Sequence, residues 1–179
     1  MASYIHMSRE VLLSHILKDE EGAQHSLQLL LDALDIIVAA EFNLCQNDDC
    51  EKNLHLHEFY LKMLELYFDD GFYGIYAFRA IQEHKFLARL YLSYRNDEQK
   101  AFEHLKEAVK FVKQYEGLSS PYVYTSTLLN GYKSHRIILT NCTETQSELL
   151  INFMNSSDFD SVRDKDWFKS VEQELRSAA

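Results

Sequence analysis

The chain has 179 residues, of which 46% are hydrophobic and 13% aromatic, so it can bury the core of one domain or one compact repeat array. One proline and five glycines are too few for a loop-rich sandwich or barrel, and no sustained two-residue alternation predicts strands. The formal net charge of −10 repels phosphate backbones, which argues against direct nucleic-acid binding by this chain. The composition therefore predicts an all-α protein.

Targeting signals are missing from the sequence. No apolar run has the length of a membrane span, and the first residues lack the basic region and apolar core of a signal peptide. The three cysteines have no framework spacing, which favours reduced thiols. We therefore expect a cytoplasmic protein with no membrane partner.

The first quarter of the chain predicts either two helices separated by the polar residues 19–22 (Asp-Glu-Glu-Gly) or one long helix with these residues as its exposed middle. Residues 1–7 are expected to be a lead-in, and His6-Met7 leaves open whether they are the remnant of a tag. A helix is predicted over residues 8–18. Residues 23–45 are apolar on nearly every side, which is typical of a helix buried in the core. A helix that also serves a dimer interface is the alternative for this segment.

The middle of the chain predicts a helical hairpin. One helix is expected from residue 51 to Phe68, before the polar stop Asp69-Asp70-Gly71. The next helix is expected to begin at Phe72 or Tyr73 and to run to Tyr94, because its apolar residues recur three and four positions apart. Repeated hairpins of this size indicate a helical solenoid.

The segment Phe86–Gly117 predicts two amphipathic helices folded back on each other across a short polar turn. Asn96 or Asp97 can cap the second helix by accepting hydrogen bonds from its free amides. Gly117 predicts a left-handed stop at the end of that helix.

Three further helices are predicted in the last third of the chain. The first is expected from Pro121 to about Gly131, because proline suits the first helical position. Residues 143–146 (Thr-Glu-Thr-Gln) fit a capping box before a helix that ends near Asn155. The last is expected over residues 164–177. The whole prediction is about seven or eight helices in antiparallel hairpins, forming one domain over residues 8–177.

Three segments of the second half carry a resemblance to a known family: AFEHLKEAVKFVKQYEGL, YTSTLLNGY and ELLINFMNSSDFDSVRDKDWFKSVEQEL. Their order resembles the C-terminal region of bacterial transcriptional regulators of the Xre type, and SREVLLSHILKDEE is similar to the start of that region. The resemblance covers most of residues 8–177. It implies a tetratricopeptide-like helical array that acts as an interaction or sensor module and binds a peptide or protein in a helical groove. In that family a helix-turn-helix domain precedes the array, but residues 1–50 here hold no basic recognition helix, so DNA binding is not expected of this chain.

Tyrosine and arginine side chains of successive helices are candidates for such a groove, because they offer amphipathic contact area to a peptide. Simple packing between helices is the competing explanation for each tyrosine. The candidate groove residues are Tyr73, Tyr76, Arg79, Arg89, Tyr124 and Asn130. The alternative function is a structural domain that forms a homodimer and binds no ligand.

Catalysis and metal binding have little support in the sequence. The nearest approach to a metal-binding set is Cys45, Cys50, His55 and His57. Its spacing matches no usual zinc site, so neither a metal nor another cofactor is expected. His84 and His104 flank the central hairpin and could approach each other. No nucleophile-base pair with local spacing and no glycine-rich phosphate loop is present, and we predict that the chain is not an enzyme.

Overall fold

The computed structural model of the chain describes Ala33 and residues 50–127, 129–131, 133–134 and 144–177. The chain divides into two units, Met1–Asp48 and Asp49–Ala179. The helices and strands with defined bounds all belong to the second unit. The helices predicted over residues 8–18 and 23–45 lie outside the described residues.

Five α-helices lie in the described part of the chain: α1 (Cys50–Tyr67), α2 (Ala77–Leu90), α3 (Glu98–Glu116), α4 (Gln146–Met154) and α5 (Asp166–Arg176). Shorter helical segments are the 3₁₀ turns Gly74–Tyr76 and Ser157–Phe159 and the π turn Tyr91–Arg95. Strands β1 (Tyr122–Val123) and β2 (Lys133–Ser134) form one short antiparallel pair. The predicted all-α class is confirmed, whereas the described residues hold five helices and not the seven or eight expected of the chain.

The hairpin of α2 and α3 is the centre of the described fold. Helix α1 packs against α2, and both α4 and α5 pack against α3. Small side chains let α2 and α3 approach closely, since Ala80, Ala88, Ala101 and Ala108 are all completely buried. Leucine and valine side chains fill the remaining space, and each contributes about 1.5–3 kcal/mol when fully buried. None of the described helices combines the length and apolar character that a membrane span requires.

The turn between α2 and α3 confirms the predicted hairpin. Asn96 has a left-handed backbone with φ of 52°, which asparagine tolerates better than most residues. Asp97 is the capping residue, because its side chain accepts a hydrogen bond of 3.0 Å from the Lys100 amide. At the other end of α3, Gly117 has a φ of −78°, so the predicted left-handed stop is wrong.

Helix α4 begins with a capping box formed by Thr145 and Glu148. The box lies two residues later than predicted, because Glu148 supplies the carboxylate that must stand three positions after the cap. Glu116 joins this end of α4 to the end of α3. Its carboxylate accepts hydrogen bonds of 2.8 Å from both the amide and the hydroxyl of Ser147.

The helix predicted from Pro121 to Gly131 is wrong. The chain is extended from Tyr122, and Gly131 closes a turn by donating its amide to the Tyr124 carbonyl at 2.9 Å. Side chains alternate between buried and exposed along this segment; Tyr122, Tyr124 and Ser126 are buried, and Val123, Thr125 and Thr127 are exposed. Aromatic and β-branched residues suit such a pleated, half-buried backbone. The alternation covers too few residues for the sequence pattern to predict a strand.

An aromatic cluster around Phe68 joins three separate segments. The Phe68 side chain is 1% exposed, and its ring centroid lies 4.9 Å from Tyr73, 5.4 Å from Tyr76 and 5.8 Å from Tyr124. These rings come from the end of α1, the 3₁₀ turn and the segment after β1. Gly74 lies against the same rings with a φ of 54°, and a Cβ placed there would stand 2.6 Å from the Tyr124 hydroxyl oxygen.

We expect Gly74→Ala to lower the free energy of unfolding by about 2–4 kcal/mol, because the methyl group collides with tyrosine rings and the backbone is left-handed. Gly71→Ala is the matched control. Its φ is 77°, but a Cβ there meets nothing within 4 Å, so only the backbone cost of about 1–2 kcal/mol remains. Urea unfolding measures both, and equal losses in the two variants would contradict the close packing at Gly74.

Candidate functional site

The three tyrosines predicted to line a groove are core residues. Tyr73 is 4% exposed, Tyr76 9% and Tyr124 1%, and all three belong to the aromatic cluster around Phe68. Packing between segments therefore accounts for Tyr76 and Tyr124. The substitution Tyr76→Ala would open a cavity in the core and does not report on binding alone.

The other three predicted residues are not buried in the aromatic cluster. Arg79 is exposed on α2, with its guanidinium carbon 5.7 Å from the Phe78 ring centroid. Arg89 lies ten positions further along α2, about 15 Å along the helix axis, and approaches Asp158 to 4.0 Å. Asn130 is exposed in the turn after β1. The six residues do not form one surface.

Tyr73 nevertheless lies at the base of a cleft of about 300 Å³ that opens between α1, the loop after it and α3. We term this the acidic cleft. Its lining consists of Leu61, Glu65, Phe68, Asp69, Gly71, Tyr73, His84, Glu107, Lys110 and Phe111. Carboxylates form its walls and aromatic rings form its floor.

Gln114 fixes the position of Tyr73 in this floor. The Gln114 side-chain oxygen accepts a hydrogen bond of 2.9 Å from the Tyr73 amide, and its nitrogen donates one of 2.8 Å to the Gly71 carbonyl. The ring is held between Phe68 and Phe111, with the Phe111 centroid 4.6 Å away. The loop can therefore not carry Tyr73 out of the cleft without breaking contacts to α3.

The Tyr73 hydroxyl makes no hydrogen bond to any residue that the structure describes, although only 4% of the residue is exposed. Burial, followed by the negative charges of Glu65 and Glu107, raises the pKa of Tyr73 to about 12. The hydroxyl is therefore protonated at neutral pH and faces carboxylates. The hydroxyl oxygen does not belong to the fully buried polar atoms that lack a partner, so it is the part of Tyr73 that is open to the cleft.

Three carboxylates and one ammonium group border the acidic cleft. Glu107 pairs with Lys110 at 2.8 Å, and Asp69 accepts a hydrogen bond of 2.9 Å from the Thr127 amide. Hydrogen bonds from Thr127 lower the pKa of Asp69. Glu65 is exposed and forms no ion pair or hydrogen bond within the described part of the chain. One carboxylate and one hydroxyl of the cleft thus remain available to a ligand.

His84, which lines the acidic cleft, forms a pair with the half-buried His104, as their places in the hairpin predicted. Their Nδ1 atoms are 2.9 Å apart, so one ring donates a hydrogen bond and the other accepts it. Burial and the neighbouring His104 and Lys110 lower the pKa of His84 to about 3. Burial lowers the pKa of His104 to about 4. Both imidazoles are therefore neutral at physiological pH.

A second cleft, of about 330 Å³, lies between the start of α1, the π turn and the start of α3. Its charged groups satisfy one another. Arg95 donates to the Glu51 carboxylate at 2.5 Å, and the Tyr91 hydroxyl donates to Glu58 at 2.5 Å while it accepts from Lys100 at 3.2 Å. We term this the ion-pair cleft, and its internal pairing makes it the weaker candidate for ligand binding.

A metal site is not formed by the described residues. No group of three or more histidine, cysteine, aspartate or glutamate side chains there is placed to hold an ion. Cys45 lies outside the described residues, and His57 pairs instead with Glu83 at 2.5 Å. The Asp69-Asp70 pair shapes the loop, since Asp70 accepts from the Phe72 amide at 3.0 Å.

The chain matches no protein-family model, no curated protein and no solved structure. Sequence patterns did not select Glu65, Glu107 or Lys110, because each is one charged residue among many on polar helix faces. The signal that could have selected them is their position beside an aromatic floor, and that position depends on the packing of α1 against α2 and α3.

We expect the stability of the protein to fall as the pH drops from about 7 to 5, because the histidine pair must stay neutral. Both pKa values in the folded chain lie below the ordinary value of 6.5, so the unfolded chain binds more protons in this interval. The stabilisation is complete above pH 6.5 and is lost as the pH falls toward 4 and then 3. Each histidine adds a slope of up to about 1.4 kcal/mol per pH unit.

Urea unfolding at a series of pH values measures this slope. The double variant His84→Leu, His104→Phe should flatten it, whereas His55→Gln, at a side chain that is 80% exposed, should leave it unchanged. An unchanged slope in the double variant would show that other groups cause the pH dependence.

Proposed function

We propose that the chain is a non-catalytic peptide-binding or protein-binding module of a bacterial transcriptional regulator. The observation that carries the binding proposal is the acidic cleft, where the Glu65 carboxylate and the Tyr73 hydroxyl are open to the cleft and have no described partner. Ligand sites commonly combine an apolar floor with a few convergent polar groups. The acidic cleft has this composition.

The shape and chemistry of the acidic cleft favour part of a peptide as its ligand. A volume of about 300 Å³ accommodates one or two side chains, and Phe68, Tyr73 and Phe111, which are 1%, 4% and 5% exposed, close its floor with apolar rings. Peptides that lie along helical grooves insert single anchor side chains into such pockets. Tyr73 is the one groove residue predicted from the sequence that serves this proposal directly.

The regulatory role rests on the resemblance to the helical region of Xre-type regulators. Antiparallel packing of α2 and α3, with α1 against α2, supports a tetratricopeptide-like arrangement of these three helices. The net charge of −10 favours a protein or peptide partner over nucleic acid. In this proposal, binding in the acidic cleft is what the regulator senses.

A peptide library tests the proposed function without knowledge of the partner. The purified chain is passed over immobilised random heptapeptides, and retained sequences are compared between wild type and Tyr73→Phe, which keeps the ring and removes only the hydroxyl. We expect wild type to retain a defined set of sequences, with binding weakened about fivefold in the variant because one hydrogen bond is lost. Retention of no sequence above background would refute a peptide-binding role.

A homodimerisation domain without a ligand is the second candidate function, and one feature of α1 favours it. Phe59 is 52% exposed and Leu66 68% exposed, although both are large and apolar. They are seven residues apart and therefore lie on the same side of the helix, away from its buried residues. A second copy of the chain would present the same apolar face, which suits a two-fold symmetric contact.

Sedimentation equilibrium separates this candidate from the first. If the exposed face of α1 joins two copies, the wild-type chain sediments as a dimer in the micromolar range and Leu66→Glu shifts it to the monomer. Lys106→Glu, at an exposed position on α3, controls for the change of charge. A wild-type chain that stays monomeric would eliminate dimerisation through this face.

A further inference from the structure

We propose that the acidic cleft binds the ammonium or guanidinium group of a lysine or arginine side chain presented by a peptide. This inference rests on the proposed peptide-binding function and names the chemistry of the anchor residue. It follows from three features of the cleft: an unpaired carboxylate beside an unpaired hydroxyl, an aromatic floor, and an excess of negative charge.

The first feature is the pair of acceptors that have no donor. Glu65 makes no ion pair or hydrogen bond within the described residues, and the hydroxyl oxygen of Tyr73, on a side chain that is 4% exposed, is likewise without a partner there. A ligand ammonium group has several N–H donors. It can donate to the Glu65 carboxylate and to the Tyr73 oxygen at once, and the bond to the carboxylate is charge-assisted.

The second feature is the aromatic floor, which already holds a cation of this kind. The Lys110 ammonium nitrogen lies 5.3 Å from the Phe111 ring centroid and 2.8 Å from the Glu107 carboxylate. Contacts of a cation with a ring face and with a carboxylate are therefore both compatible with the shape of the cleft. The Phe68 and Tyr73 rings are 1% and 4% exposed and pack on each other, so they close the floor without offering an open face, and a second cation contacts Glu65 and the Tyr73 hydroxyl instead.

The third feature is the charge balance. Glu65, Asp69 and Glu107 contribute three negative charges and Lys110 contributes one positive charge, which leaves the cleft with two negative charges in excess. His84 adds no positive charge near pH 7, because burial lowers its pKa to about 3. An anionic or neutral anchor would leave this excess uncompensated, whereas a cation reduces it.

The probes for this proposal carry the ammonium group without the rest of a peptide. Nα-acetyl-lysine-N-methylamide presents the ammonium group as a side chain, and Nα-acetyl-norleucine-N-methylamide is its uncharged counterpart. Cadaverine presents the same ammonium group as a free diamine. Each is titrated into the full chain, and the dissociation constant is obtained from the shifts of the backbone amide NMR signals of Gly71 and Tyr73. We expect the lysine derivative to bind at least tenfold more tightly than the norleucine derivative, because only it forms charge-assisted hydrogen bonds.

Substitutions of cleft residues test whether the lysine derivative binds in the acidic cleft. We expect Glu65→Gln to weaken lysine-derivative binding about tenfold, because it removes the unpaired negative charge. Lys110→Met should strengthen binding about threefold, because it removes a competing cation. Glu103→Gln lies one turn before Glu107 on an exposed face of α3 and should have no effect. Equal weakening by Glu65→Gln and Glu103→Gln would mean that the lysine derivative responds only to the overall charge, and the proposal would be wrong.

The outcomes distinguish this inference from the function on which it rests. If the random library yields peptides but lysine and arginine are not enriched, the peptide-binding function stands and the cation site is refuted. If the norleucine derivative binds as tightly as the lysine derivative, the cation site is likewise refuted. If cadaverine binds tenfold more tightly than the lysine derivative, the cation chemistry holds and its assignment to a peptide side chain is overturned.

Discussion

The packing of aromatic rings around Phe68 is the contact on which the described structure depends. It fixes the end of α1, the 3₁₀ turn and the segment after β1 against one another, although these segments are up to 56 residues apart, from Phe68 to Tyr124. Aromatic pairs at such distances bury large areas and constrain ring orientation. Because Gly74 has no Cβ, the turn can lie directly on the tyrosine rings. The floor of the acidic cleft is the outer edge of this same cluster.

The polar groups of the described residues fall into two classes. Most are paired within the chain, as are Glu116 with Ser147 and the groups of the ion-pair cleft. These pairs hold helix ends and turns in place, and their hydrogen-bonding capacity is largely used. Tyr73 and Glu65 belong to the second class, because their polar atoms lie at an open cleft without a described donor. Their hydrogen-bonding capacity is left for water or for a partner.

Local sequence signals predicted the helical hairpin correctly, but they did not predict that the tyrosines are buried. The three-and-four spacing from Phe86 onward and the Asp97 cap depend only on neighbours in sequence, and both predictions are confirmed. The helix predicted from Pro121 is wrong, because tertiary contacts of Tyr122 and Tyr124 select an extended backbone. Tyr76 and Tyr124 were predicted to line a groove, but a side chain that fits a groove also fits a core, and periodicity cannot separate the two.

The amino-acid sequence by itself determined the all-α class, the central hairpin and the acidic character of the molecule. Each of these follows from composition or from the 3.6-residue period, which act locally. Only the tertiary structure decided that Glu65, Tyr73 and Glu107 border one cleft, that His84 and His104 meet, and that the three predicted tyrosines are buried. Glu65 is 8 positions from Tyr73 and 42 from Glu107 in sequence, so the distances between these side chains depend on helix packing and on the Gln114 hydrogen bonds that hold the Tyr73 loop, which no local pattern encodes.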